Sequence, residues 1–586
     1  MSKDKRDADD HGLLDEQQIA QCARVDEVMP FGYPIPTRMI SNGEYMPLAQ
    51  TERQKYVEAR VDELAESASK RLGISRRAFL AGSGGMAASL LALNEVFGRI
   101  FDVDPIEMFE PAAFAQSAVP RDLFVFDGHL HCVRGNFPKQ RFTEMLAPLR
   151  AAAQGPTSAP LFKSNPLNPT NAPDEHGAVW AVWNPALVGL PIKEEDVQVG
   201  QFIKDVFLES QVTVGLLSNI TGGVLDGVSP GARNVVEARP EEFLTAAQTA
   251  AARDFVNKIA GSTRLLAHGL LYVGKGNLGY LQEQIDRNQP DSFKGYNISS
   301  AAKIDNDPNS LMRQWRHDDE NVAYPSFELI EKNYQKLKDK KPGLKNICVH
   351  KGLAPGPSDP LRGHPGDLPK AARDWPGLNF ITYHACIQPL GFLGESLQGV
   401  KSGRMRGGVP DIAWTTEYAQ LVGPFRNCYA DIGTMWASSI VTFPTVAAHL
   451  MGQLMKYMGE DRILFGSDAV WYGSPQWQIE ALWRFQMPED LRRRYGYPEL
   501  TPTAKRKILG LNSARLYGLM AAEGGSKNRV YRPVPKDYER RMTREFKTVM
   551  EFPGYAADAF AKAKEQYATL GVEPTHTRYG WIRVKS

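Results

Sequence analysis

Two histidines that stand two residues apart close an apolar stretch near residue 130. Residues 123–126 are all apolar, and His129 and His131 follow them. In a strand, residues i and i+2 point to the same side, so the two imidazoles face one point. Paired imidazoles are typical of a transition-metal site, and two ordinary polar residues at a strand end are the alternative.

Three further residues of this kind end later apolar stretches. His350 ends the stretch 344–350, His384 ends the stretch 378–384, and Asp468 ends the stretch 461–468. Each of them alone is more typical of a core residue with its own partners. Nitrogen ligands together with one carboxylate are the ligand set of a divalent transition metal, zinc first.

Strand and helix signals alternate from Arg121 onward, which predicts a parallel α/β fold. The predicted strands are 123–131, 212–218, 264–273, 292–298, 344–350, 378–384, 427–433 and 461–468. Eight such units predict a (β/α)8 TIM barrel over residues 121–519, with a long insertion after strand 1 at residues 132–197. The carboxyl ends of barrel strands converge on one mouth, so His129, His131, His350, His384 and Asp468 are expected to meet there.

Several motifs resemble the amidohydrolase superfamily, in the metal-dependent branch that includes aminocarboxymuconate-semialdehyde decarboxylase. The motifs are Phe126–His131, Val349-His350, Tyr383-His384, Arg462–Asp468 and Lys507–Leu519. The resemblance covers residues 121–519. It implies a TIM barrel whose mouth holds one divalent metal ion.

The resemblance also implies a role for each polar residue. His129, His131, His350 and Asp468 are the expected metal ligands, with Zn²⁺ as the first choice and Mn²⁺, Fe²⁺ or Co²⁺ as alternatives. His384 is expected beside the metal, and His384 and Asp468 are the expected catalytic residues. One metal is expected and not two, because no lysine stands where related branches carry a bridging lysine. Lys294 on strand 4 is the one alternative bridging residue, and it is expected to point outward to solvent or to a helix.

The expected activity is hydrolysis by metal-activated water at a carboxylate or carbonyl of a small organic substrate. A Zn-type ion lowers the pKa of bound water to about 7. The alternative is non-oxidative decarboxylation of an aromatic or unsaturated carboxylate. A third reading, from another class, is an inactive barrel that serves as a binding or scaffold protein. Substrate contacts are predicted for His268, Arg134 and Trp180.

The charge and cysteine content of the chain limit the classes of partner that are expected. The 586-residue chain has a formal net charge of +2, and its lysines and arginines are spread along the sequence, which argues against a nucleic-acid partner. The five cysteines are too few and of odd number for a disulfide scaffold. The expected partners are a small-molecule substrate and a second copy of the chain.

The two ends lie outside the predicted barrel. Residues 1–120 form an N-terminal extension in which Arg76-Arg77 and the apolar run 78–93 resemble a twin-arginine export signal, and Ala113-Phe114-Ala115 resembles a cleavage site. A helix over residues 78–93 would be about 24 Å long, short of the roughly 30 Å hydrocarbon core, so no stable membrane span is expected. Export machinery and a periplasmic location follow, with the cytoplasm as the alternative. Residues 520–586 are predicted to form a helical tail.

Overall fold

A computed structural model describes residues 33–37, 50–120, 123–134, 199–221, 242–260, 263–297, 315–353, 360–388 and 400–519. Eight short strands form its central sheet, and every neighbouring pair is parallel. The strands are β1 (Phe126–Leu130), β2 (Val214–Leu217), β3 (Leu265–Leu270), β4 (Ser292–Tyr296), β5 (Asn346–His350), β6 (Asn379–Tyr383), β7 (Cys428–Asp431) and β8 (Ile463–Leu464). Each one lies inside a strand predicted from the sequence.

Backbone hydrogen bonds between the last and first strands close the sheet. The amide of Gly128 donates to the carbonyl of Phe465 over 2.9 Å, and the amide of His131 donates to the carbonyl of Ala469 over 2.6 Å. Leu130 and Ala469 form a parallel bridge beyond the end of β8. The predicted (β/α)8 barrel is therefore confirmed.

Helices follow the strands around the outside of the barrel, and others precede it. The helices are α1 (Glu52–Leu72), α2 (Arg76–Ala81), α3 (Ser83–Phe97), α4 (Pro111–Ser117), α5 (Val199–Ile203), α6 (Ala246–Ala260), α7 (Leu278–Glu283), α8 (Tyr324–Leu337), α9 (Pro360–Gly363), α10 (Leu368–Asp374), α11 (Ala413–Val422), α12 (Gly433–Ser439), α13 (Pro444–Tyr457), α14 (Gln476–Arg484), α15 (Glu489–Tyr495), α16 (Pro502–Arg506) and α17 (Asn512–Leu516). A two-stranded antiparallel ribbon, Met405–Arg406 with Val409–Pro410, precedes α11.

The lower end of the barrel is closed by packing. Inward residues of the strands, among them Phe126, Leu266 and Ile381, form a buried cluster with the last helix and the residues just after it. Tyr517 stacks on Phe126 with ring centroids 5.3 Å apart. Residues of α17 and those just after it fill the lower end of the barrel. The open end is therefore the mouth at the carboxyl ends of the strands.

The N-terminal helices share one continuous core with the barrel. Helix α3, which contains most of the apolar part of the predicted export signal, buries Ala87, Leu90 and Leu93 almost completely. Gln54 of α1 donates from its side chain to the carbonyl of Thr442 over 2.8 Å. In the described part of the chain, no helix combines the length and apolarity that a bilayer span requires.

A buried arginine attaches the segment around the predicted cleavage site to the barrel. Arg484 of α14 has no solvent exposure in its side chain, and its Nη1 lies 2.8 Å from a carboxylate oxygen of Glu107. Its guanidinium lies 4.5 Å from the ring centroid of Phe114, and its carbonyl accepts from the amide of Asp102 over 2.7 Å. Residues 99–119 are therefore packed as part of the fold. The predicted boundaries at residues 120 and 520 remain predictions.

Candidate active site

The paired histidines of β1 and the aspartate after β8 bring three ligand atoms together. Nε2 of His129 lies 3.1 Å from Nε2 of His131, and each lies 3.3 Å from Oδ1 of Asp468. Tetrahedral metal bonds of about 2.0–2.1 Å place neighbouring ligand atoms about 3.3 Å apart. The triangle therefore has the dimensions of one face of a tetrahedral site. Asp468 reaches it from a left-handed backbone conformation, with φ of 61°.

The two remaining histidines form a pair at the edge of this triangle. His350 ends β5, and His384 follows β6 in a left-handed conformation with φ of 58°. Nε2 of His384 lies 3.2 Å from Nδ1 of His350, and the ring centroid of His384 lies 4.9 Å from that of His129. His384 therefore lies beside the first three ligands, and its catalytic role remains a prediction.

The described part of the chain contains two compact groups of side chains that could hold a metal ion. One is His129, His131 and Asp468, and the other is His129, His384 and Asp431. His350 is in neither group, so the structure brings three of the four predicted ligands together and places the fourth against His384. The four-residue ligand set remains a prediction.

Asp431 and Thr434 are site residues that the sequence interpretation missed. Asp431 ends β7, and its Oδ1 lies 3.1 Å from Nδ1 of His129. Thr434, in the first turn of α12, donates from its hydroxyl to Oδ2 of Asp468 over 2.5 Å. A signal for Asp431 was present, because an aspartate near a strand end is the feature that identified Asp468, but the predicted strand 427–433 ran two residues past the observed end at Asp431.

Lys294 does not point outward, so that prediction is wrong. Its side chain is fully buried inside the barrel, with Nζ 3.5 Å from the ring centroid of Tyr383 and 4.8 Å from that of Tyr296. Alternation along β4 turns Ser292, Lys294 and Tyr296 inward. Two aromatic faces stabilise the ammonium group there, which offsets part of the cost of burying it.

A hydrogen-bonded group below the histidines contains His268. The hydroxyl of Tyr383 donates to the carbonyl of Gly128 over 2.8 Å and lies 2.9 Å from Nε2 of His268. Because that hydroxyl proton is already donated, His268 must donate from Nε2, and its Nδ1 then accepts from Ser292 over 2.9 Å. His268 thus has partners at both ring nitrogens, and its substrate contact remains a prediction.

The other two predicted substrate residues are Arg134 and Trp180. Arg134 is largely buried, and its amide donates to the carbonyl of Phe243 over 2.9 Å. The negative charge of Glu242 raises the pKa of Arg134, although burial lowers it more. Trp180 lies outside the described residues. Contacts of both residues with a substrate remain predictions.

Burial and one buried charge keep the imidazoles neutral. Burial lowers the pKa of His129, His131, His350 and His384, and the positive charge of Lys294 lowers each pKa further. Burial also raises the pKa of two nearby carboxyls, Asp127 to about 7 and Asp431 to about 8. Neutral imidazoles keep the lone pairs that a metal requires, so the residues fit a divalent cation.

Comparison with protein families agrees with this geometry. Residues 314–519 match the family described as "Amidohydrolase", a segment that contains His350, His384, Asp431 and Asp468. No curated protein sequence matches the chain. The family match confirms the predicted resemblance to the amidohydrolase superfamily over these residues.

Solved structures with a similar fold include enzymes of both kinds. The 5-carboxyvanillate decarboxylase of Sphingomonas paucimobilis is 14% identical with a TM-score of 0.33, over 68% of this chain and 100% of that one. The 2,6-dihydroxybenzoate decarboxylase of Rhizobium is 13% identical with a TM-score of 0.34, over 68% and 99%. A putative 2-pyrone-4,6-dicarboxylic acid hydrolase of Pseudomonas putida is 12% identical with a TM-score of 0.33, over 68% and 98%. At these identities the likeness concerns the barrel fold alone.

Proposed function

We propose that this chain, in which residues 314–519 match the amidohydrolase family, is a metal-dependent enzyme that removes a carboxyl group from a small organic acid without oxidation. The proposal replaces hydrolysis, the first expectation from the sequence, with its alternative. A divalent cation held by His129, His131 and Asp468 would neutralise and orient the anionic substrate. Zinc is the first choice for two imidazoles and a carboxylate.

The observation that carries the proposal is the engagement of both oxygens of Asp468. Hydrolysis would ask this carboxylate to accept a proton from water. Its Oδ1 faces the two Nε2 atoms of His129 and His131 at 3.3 Å, and its Oδ2 accepts from Thr434 at 2.5 Å. A carboxylate with both oxygens engaged is a poor base for water, whereas decarboxylation needs no proton to be taken from water.

The electrostatic character of the site supports an anionic substrate. Lys294 is buried inside the barrel, and its positive charge lowers the pKa of four surrounding histidines, which supports a positive potential there. A carboxylate is attracted to such a potential. The side chains of His129, His131 and Asp468 are almost completely buried, so little water competes for the substrate.

His384 is the proposed proton donor. The bond between the substrate carbon and its carboxyl carbon breaks, carbon dioxide leaves, and the electron pair stays on the substrate carbon. His384, whose ring is neutral at rest, takes a proton from solvent and passes it to that carbon, so one proton is consumed for each carbon dioxide released. Nδ1 of His384 is buried and has no hydrogen-bond partner among the described residues, and a general acid of this type contributes about 10²–10⁴-fold.

The test measures the products and not only turnover. Purified enzyme loaded separately with Zn²⁺ or Mn²⁺ is given three substrate groups: hydroxybenzoates, lactones and amides. The proposal expects carbon dioxide release from an aromatic or unsaturated acid, with one proton taken up for each molecule released. Release of acid from a lactone or amide, without carbon dioxide, would show instead that the enzyme is a hydrolase. Turnover of none of the three groups by metal-loaded protein would support the inactive barrel.

A further inference from the structure

Asp431 contacts the face of His129 that is turned away from the ligand triangle. Its Oδ1 lies 3.1 Å from Nδ1 of His129, while Nε2 of the same ring faces His131 and Asp468. Both side chains are about 1% exposed. A neutral imidazole has one proton, and Oδ1 of Asp431, an acceptor also for the amide of Gly433, accepts it at Nδ1. The lone pair of Nε2 is then free to face a cation.

The backbone around Asp431 fixes the direction of its carboxylate. The amide of Gly433 donates to Oδ1 over 3.1 Å. A side-chain carbon added at Gly466 would lie 2.2 Å from Oδ2, and one added at Gly433 would lie 2.9 Å from Oδ1 and 2.8 Å from Nδ1 of His129. Glycine at both positions therefore leaves the space in which the carboxylate and the imidazole meet.

A second metal ion is the rival explanation for this cluster. His129, His384 and Asp431 offer three ligand atoms within 4.8 Å of one another. If cations stood at both groups, His129 would bind them through both ring nitrogens and would have to lose its last ring proton. A hydrogen bond from Nδ1 to Asp431 accounts for the 3.1 Å contact without that cost.

We propose that Asp431 is the positioning residue of His129: it holds the proton on Nδ1 and so presents Nε2 to the metal. The inference rests on the metal site of the proposed function and is independent of which reaction that site catalyses. Partners that orient metal-binding histidines in this way typically change metal affinity or activity by about 10–100-fold when they are replaced.

The test compares D431N with D367N in the full chain. An asparagine at 431 keeps the size but replaces one carboxyl oxygen with an NH2 group, which can donate to Nδ1 and favour the wrong tautomer. Asp367 is an equally buried aspartate, with Oδ2 3.2 Å from Nδ1 of His317, a histidine outside the triangle. Zn²⁺ affinity is measured by competition with a chelator, and the Co²⁺ absorption spectrum is recorded for each protein.

The inference expects D431N to bind one Zn²⁺ about 10–100-fold more weakly and to change the Co²⁺ spectrum. It expects D367N to lose thermal stability but to keep affinity and spectrum. Wild-type affinity and spectrum in D431N, or two ions in the wild-type protein that become one in D431N, would overturn it. These readouts need no substrate, so a failure of the decarboxylase proposal leaves them unaffected.

A measurement without any change at Asp431 covers the case in which D431N does not fold. Nitrogen-15 spectra of metal-free wild-type protein, with the His129 signals assigned by their loss in H129Q, show which ring nitrogen carries the proton. The inference expects the proton on Nδ1. A proton on Nε2 of His129 in the metal-free protein would contradict it.

Discussion

The hydroxyl of Thr434 donates to Oδ2 of Asp468 over 2.5 Å, across from the oxygen that faces the two histidines of β1. Thr434 stands three residues after Asp431, which contacts His129. The junction between β7 and α12 therefore contacts two of the three residues of the ligand triangle, His129 and Asp468, through the atoms that face away from the triangle. This junction carries no ligand of the triangle, yet it supplies the groups that orient two of them.

Replacing Thr434 with valine should loosen Asp468. The change keeps the shape but leaves a buried carboxylate oxygen without its hydroxyl donor, which costs about 1–3 kcal/mol. We expect a lower melting temperature and metal affinity weakened about 10–100-fold, measured by calorimetry and chelator competition. Thr442→Val removes another buried hydroxyl, one that donates to the carbonyl of Ser438, and should lower stability alone. Equal metal affinity in the two variants would contradict the role of Thr434.

Replacing His129 and His131 together with alanine should remove the metal and leave the barrel folded. The strands are held by apolar packing and backbone pairing, to which the imidazoles contribute little. Metal content after purification and circular dichroism measure the two effects. His449→Gln is the control, because His449 is buried against Tyr497 outside the triangle and should keep its metal. Full metal occupancy in the double variant would refute the ligand assignment.

His384→Ala should keep the metal and lose most of the turnover. His384 lies beside the triangle and not within it, and general acids contribute about 10²–10⁴-fold. Metal content and kcat are measured on the same preparation. His364→Asn is the matched control, since His364 contacts Glu417 at the partly exposed side of the protein. A His384→Ala enzyme with a near-normal rate would mean that His384 is structural.

Gly433→Ala should disturb the site although it adds a single carbon. That carbon would lie 2.8 Å from Nδ1 of His129, so His129 or Asp431 must move. We expect weaker Zn²⁺ binding, measured by chelator competition. Gly279→Ala is the control, because no atom lies within 4 Å of the added carbon and alanine is favoured in a helix by about 1 kcal/mol. Unchanged affinity in Gly433→Ala would show that the space around Asp431 is not restrictive.

The sequence was sufficient for the barrel and for most of its mouth. Strands such as 346–350 and 379–383 are short, mostly apolar runs that end at a histidine or one residue before it, and the rule that parallel strand ends meet led to the expectation that His350 and His384 lie at the mouth. The position of Asp468 beyond a two-residue β8 follows from a left-handed turn that an apolar pattern does not encode.

Lys294 shows where the sequence argument failed. Burying a lysine is costly, so a lysine in a strand is expected to point outward. What turned it inward was the alternation along β4 together with the rings of Tyr296 and Tyr383, which belong to two different strands. The ring of Tyr383 comes into contact only after the barrel closes, so no local pattern could reveal it.

Export by the twin-arginine route remains our proposal, and the structure constrains how it would operate. Arg76 pairs with Asp62, while the apolar part of the signal is packed as α3. We expect Arg76→Lys with Arg77→Lys to retain the protein in the cytoplasm, measured by cell fractionation. Arg71→Lys, a change in the exposed last turn of α1, should leave the distribution unchanged. Identical distributions of the double variant and the wild type would disprove export.

The N-terminal helices and residues 99–119 are attached to a part of the chain that the ribosome makes much later. Asp102 and Arg484, which bond to each other, are separated by 382 residues. At a synthesis rate of about 5–20 residues per second, Arg484 emerges roughly 20–80 s after Asp102. During that interval the N-terminal helices lack their attachment to Arg484, so anything that recognises Arg76 and Arg77 on the nascent chain acts within a time set by translation.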